Sequence, residues 1–124
     1  PPRGPTRHDV FGTASFLNVL PWTAALEYLA EVGVDAASRH NERLVGWAGA
    51  AVAGCGYRIL SLEGPTPSPF VVFDPGEGGA HRVAGRLKEA NVHVALRDGL
   101  IRVSPHLHND GDQIDRFEEA LCLG

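Results

Sequence analysis

The dipeptide Asp98-Gly99 lies between two apolar runs, Val92 to Leu96 and Leu100 to Ser104. Asp-Gly accepts the positive φ angles of a tight two-residue turn, so this pattern predicts a β-hairpin. A lone hairpin is marginal in water and needs more strands or a helix against its apolar face. Two more strands are legible upstream. Tyr57 to Leu62 reads as one, and Phe70 to Phe73 as a short, fully apolar one. Pro65, Pro67 and Pro69 forbid regular structure between them.

The covering helices follow from apolar spacing. Pro21 suits the first turn of a helix that carries Trp22, Ala25, Leu26, Leu29 and Val32, with Gly33 as a left-handed cap. Asp35 is placed to cap a second helix whose face is Leu44, Val45, Ala48, Ala51 and Val52, stopped by Gly54. After a turn from Asp74 to Gly79, a third helix carries Val83, Leu87 and Ala90. A fourth begins near Asp110, where Gln113 completes a capping box, and presents Ile114, Phe117 and Leu121. Four short strands with amphipathic helices on one face predict an α/β (α+β) two-layer sandwich built on a small four-stranded sheet. The length of 124 residues fits one domain over 11–124, after a Pro-rich, flexible lead-in over 1–10.

Composition narrows the partners. The chain carries 11 Lys and Arg against 15 Asp and Glu, a net charge of −4. A mildly acidic domain has no electrostatic reason to seek nucleic acid or an anionic membrane. No apolar run approaches the roughly 20 residues of a membrane span. Cys55 and Cys122 show no metal-ligand spacing and read as two free thiols in a reducing cytoplasm.

Few residues are arranged for chemistry. Along Leu100-Ile101-Arg102-Val103-Ser104, alternation puts Ile101 and Val103 on the covered face and Arg102 on the other. A strand-mounted guanidinium offers a rigid fork for a carboxylate, and its plain alternative is a solvated Arg. Gly12-Thr13 can set a backbone N–H and a hydroxyl against a phosphate, or form an ordinary turn. His106 and His108 lack a third ligand nearby and read as a loop into a helix cap. Lys88, the only lysine, falls on a helix surface without the desolvation a nucleophilic amine needs.

Two separated stretches share a resemblance. Gly99 to Leu121, GLIRVSPHLHNDGDQIDRFEEAL, resembles the C-terminal end of class V aminotransferase-family proteins, which are pyridoxal-phosphate (PLP) enzymes. The shared pattern is a strand Arg, then Ser-Pro-His, an Asn-containing turn, and a helix with Ile-Asp-Arg. Phe11 to Asp35, FGTASFLNVLPWTAALEYLAEVGVD, resembles the same family's Gly-Thr loop and following helix. The resemblance implies the C-terminal small domain of a fold type I PLP enzyme. It implies that Arg102 binds the substrate α-carboxylate and that Gly12 and Thr13 approach the cofactor phosphate. Asn18 and Trp22 fall in matching segments without an assigned role.

The family's cofactor-anchoring lysine belongs to a large domain that this sequence does not contain. The resemblance therefore implies PLP in a longer parent and none bound to this chain by itself, which is expected to be inactive alone. It implies a homodimeric, cytoplasmic parent acting on an amino acid, as an aminotransferase, epimerase or C–S lyase. Members that desulfurate cysteine often carry a Cys just before the Arg strand, and Ala95 to Gly99 holds none. A free-standing binding or regulatory module and a structural oligomerisation piece are the competing readings. The parent's missing domain would leave apolar surface around Phe11, Phe16, Leu17 and Trp22.

Overall fold

The structure is a computed structural model that describes residues 16–61 and 68–123. The lead-in over 1–10, the Gly12-Thr13 loop and most of the Pro-rich loop lie outside those residues. The chain forms two compact units, Pro1–Val34 and Asp35–Gly124.

In the first unit the described element is helix α1, Phe16–Val32. It starts a full turn before Pro21, so Pro21 lies inside the helix and not at its start. Proline there removes one N–H donor. Nearby, the Thr23 hydroxyl donates to the Val19 carbonyl at 3.0 Å. Gly33 ends the helix with φ 85°, the left-handed cap expected of it.

The second unit carries helix α2 (Val34–Gly54), strands β1 (Arg58–Ile59) and β2 (Val71–Asp74), helix α3 (Gly79–Glu89), strands β3 (Ala95–Arg97) and β4 (Leu100–Val103), and helix α4 (Gly111–Cys122). The sheet order is β1-β2-β4-β3, antiparallel at every junction. This is a small α+β fold, as the pattern of apolar residues predicts.

Local chemistry explains where the boundaries moved. Asp35 lies in the first turn of α2 and does not cap it. The reversal after α2 falls at Gly56, with φ 80°, while the Tyr57 N–H reaches back to the Val52 carbonyl at 3.1 Å. That is a Schellman closure, which needs a left-handed residue where Gly56 stands. Asn91 (φ 58°) closes α3 the same way, with the Val92 N–H bonded to the Leu87 carbonyl at 2.8 Å. Val92 is thereby spent on the helix cap, so β3 begins only at Ala95. Strand β1 also shortens: the Ser61 hydroxyl, in place of a backbone carbonyl, takes the Val72 N–H.

The hairpin turn has the expected form. Asp98 and Gly99 adopt φ 52° and 79°, both left-handed, as a type I′ turn requires. The capping box of α4 is present in both directions, between Asp110 and Gln113.

The core joins one sheet face to three helices. Val71, Phe73, Ile101 and Val103 meet Leu44, Ala48 and Val52 of α2, Val83 and Leu87 of α3, and Ile114, Phe117 and Leu121 of α4, all buried. Cys55 and Cys122 are disulfide-bonded across 67 residues, with Cα atoms 5.2 Å apart. This corrects the free-thiol reading. Packing of α4 brings its last turn beside the end of α2, within the distance a disulfide spans. Among the described residues no helix is long and apolar enough to cross a membrane.

Candidate functional site

The sheet face turned away from α2, α3 and α4 carries the candidate site. Antiparallel register fixes which side chains share it, because directly paired residues point to the same side. Arg102 pairs with Val72 on one flank and Ala95 on the other. Ile101 and Val103, its chain neighbours, are buried, and Arg102 itself is exposed. Alternation therefore places Arg102 where the sequence puts it.

The surroundings of Arg102 hold the guanidinium without neutralising it. Its central carbon lies 5.5 Å from the centroid of the Phe70 ring. An aromatic face at that distance attracts the cation through its quadrupole and leaves the N–H donors free. Among the described residues Arg102 makes no ion pair. A groove of about 450 Å³ runs beside it, lined by Val72, Ala95, Arg97, Leu100 and Arg102 among others. Val72, Ala95, Leu96 and Leu100 give the groove apolar walls, Arg97 and Asp98 face each other at its rim, and Arg102 is the lining guanidinium without an ion pair among the described residues. Such a fork suits a carboxylate attached to a small organic body.

The other arginines near this face are occupied or loosely held. Arg58 donates to Asp74 at 2.7 Å. That hydrogen bond, and then one from the Gly76 N–H, hold the Asp74 carboxyl below its ordinary pKa. Arg97 lies 3.7 Å from Asp98 at the exposed turn.

The Ser-Pro-His segment after β4 proves to be an organised turn. The Asn109 side chain accepts from the His106 N–H at 2.8 Å and donates to the Gln113 side chain at 2.7 Å. The Asn109 carbonyl meets His40 Nε2 at 2.9 Å. His106 and His108 are ring neighbours, with centroids 5.8 Å apart. Asn109 thus couples the strand that carries Arg102 to the cap of α4.

Sequence reasoning missed one contributor to the site and one residue that holds the fold. Phe70 was legible only as an apolar strand residue, because its place beside Arg102 depends on the β2–β4 register. Arg86 reads as a helix-surface residue, yet it is half-buried and donates to the carbonyls of Ala120 and Leu121 at 2.7 and 2.6 Å. Gly12 and Thr13, the expected phosphate contacts, lie outside the described residues. Lys88 is exposed near the end of α3, as its surface reading expects.

No family model matches the chain. It is similar to a protein of Bacillus subtilis (strain 168) described as uncharacterized aminotransferase YcbU, with 28% identity over 103 residues. The similarity covers 83% of this chain and 27% of that protein. The chain thus spans about a quarter of the length of the curated relative it matches, and that relative is described as an aminotransferase.

Proposed function

We propose that this chain is the C-terminal small domain of a PLP-dependent enzyme of the class V aminotransferase family, and that Arg102 receives the α-carboxylate of an amino-acid substrate. The observation that carries the reading is the unneutralised Arg102 guanidinium, set over Phe70 on the sheet face turned away from α2, α3 and α4. The similarity to a protein described as an aminotransferase supports it.

The described residues do not fit the cofactor itself. PLP chemistry needs an anchoring amine in a desolvated pocket. Lys88, the only lysine of the sequence, is exposed on α3. The anchoring lysine therefore belongs to a large domain of a longer, homodimeric, cytoplasmic parent. Gly12 and Thr13 would meet the cofactor phosphate in that parent.

This domain's own contribution is positional. Arg102 would grip the carboxylate with two parallel hydrogen bonds, which fixes both the place and the rotation of the amino acid. Val72, Ala95 and Leu100 would contact the apolar part of the substrate and exclude water from the pair. Excluding water strengthens the carboxylate–guanidinium attraction. Transamination, epimerisation and C–S cleavage all require such an oriented amino acid.

The coding sequence immediately upstream provides the first test. A lysine-bearing PLP domain, continuous with this one, is the expected finding. A start codon beside Pro1 with no such domain would overturn the proposal.

A further inference from the structure

A second cleft, of about 350 Å³, lies where the exit of β4 meets the α3–β3 connection and the first half of α4. Its polar lining includes His93, Ser104, His108 and Arg116, and Val103 and Phe117 contribute apolar surface. Arg102 is not among its lining residues, so this cleft is separate from the sheet-face groove.

Its charge sets it apart from the rest of the molecule. The chain has 15 acidic residues, yet among the described residues no Asp or Glu lines the cleft. The ionisable side chains that line it are Arg116 and two histidines. Arg116 makes no hydrogen bond and no ion pair among the described residues. The amide side chains of Asn109 and Gln113 also line the cleft, and their hydrogen bonds to each other, to the His106 N–H and to the Asp110 N–H stiffen its rim. A stiff rim, an unpaired guanidinium and an apolar wall are the parts of a small-molecule anion site.

We infer that this cleft binds a small organic carboxylate with an apolar body, with Arg116 as the charge partner and Val103 and Phe117 contacting that body. The site is independent of the Arg102 reading, and either can fail without the other.

Titrating the full 124-residue chain with benzoate, followed by amide signals in ¹H–¹⁵N spectra, tests the inference. Saturable shifts are expected at the amides of His93, Ser104 and Arg116. Benzamide has the same shape without the charge and should bind at least about ten-fold more weakly, the value of roughly one charge-assisted hydrogen bond. The exposed variant R116Q should lose a similar factor for benzoate and no longer prefer it over benzamide. R82Q, which removes an equal charge from α3, should change neither. Equal binding of benzoate and benzamide, undiminished binding by R116Q, or shifts confined to residues outside the cleft would overturn it.

Discussion

Arg86 crosses from α3 to the last turn of α4, where carbonyls have no partner within the helix. Its two short hydrogen bonds satisfy Ala120 and Leu121 there. Arg86→Ala would strand both acceptors in a half-buried setting, and we expect a loss of about 1–3 kcal/mol in chemical denaturation. A midpoint unchanged from wild type would contradict that role. Asp74 gives a pH-dependent counterpart. Its folded pKa is depressed, chiefly by the Arg58 hydrogen bond and then by Gly76. Such a group adds stability above its unfolded pKa of about 3.9 and loses that contribution as pH falls through the lower folded value. Stability curves of wild type and Asp74→Asn should therefore converge below about pH 4 and separate slightly above it. The separation is small because the pair is solvent-screened. Curves that stay parallel through the acid range would exclude the assignment.

At the scale of elements, α4 is held by three kinds of force. Ile114, Phe117, Ala120 and Leu121 bury its apolar stripe, the Asp110–Gln113 box closes its start, and the Cys55–Cys122 bond ties its end to the residue after α2. Closing a 67-residue loop in the unfolded chain corresponds to about 4 kcal/mol in the chain-entropy picture. Reduction should lower the thermal midpoint by on the order of 10 °C, with the helical signal retained below the transition. A Cys122→Ser variant should melt at the reduced value and ignore reductant. Identical melting of the oxidised and reduced chain would show that the bond contributes nothing.

The devices at these element ends differ in how far they can be read from sequence. The Asp98-Gly99 turn and the capping box of α4 are legible because each is decided within two to four adjacent residues. The inward set of Ile101, Val103, Phe117 and Leu121 is legible because periodicity is local too. The disulfide is not, since 67 residues separate its halves and only the packing of α4 brings them together. Pro21 misplaces the start of α1 because its preference for a first turn is a tendency that flanking residues override. Arg102 is half legible: alternation gives its face, while Phe70 beneath it depends on a strand pairing that no local pattern encodes. The early end of β1 belongs to the same class, because Ser61 is diverted by Val72 of the neighbouring strand, whereas the late start of β3 follows from a local cap, the Val92 N–H bonding back to Leu87.

At the scale of the whole molecule, exposed apolar surface is concentrated on α1. Leu17 is 87% exposed, Leu20 67% and Trp22 65%, with Leu26 and Tyr28 also open. Apolar surface of this extent on one helix marks an interaction surface. We expect the isolated chain to self-associate, with an apparent mass in sedimentation velocity that rises with concentration. Trp22→Glu should reduce the association. A strictly monomeric chain across the micromolar range would argue against a missing partner on this surface.

The central claim concerns Arg102, and kinetics of a longer parent enzyme test it most directly. The account predicts that Arg102→Ala raises KM for the amino-acid substrate by at least about 30-fold, the loss expected when one member of a desolvated charge pair is removed. PLP affinity should be unchanged, because no part of the cofactor is assigned to this residue. An unchanged KM, or a loss of PLP binding with KM preserved, would contradict the assignment of Arg102 as the carboxylate clamp.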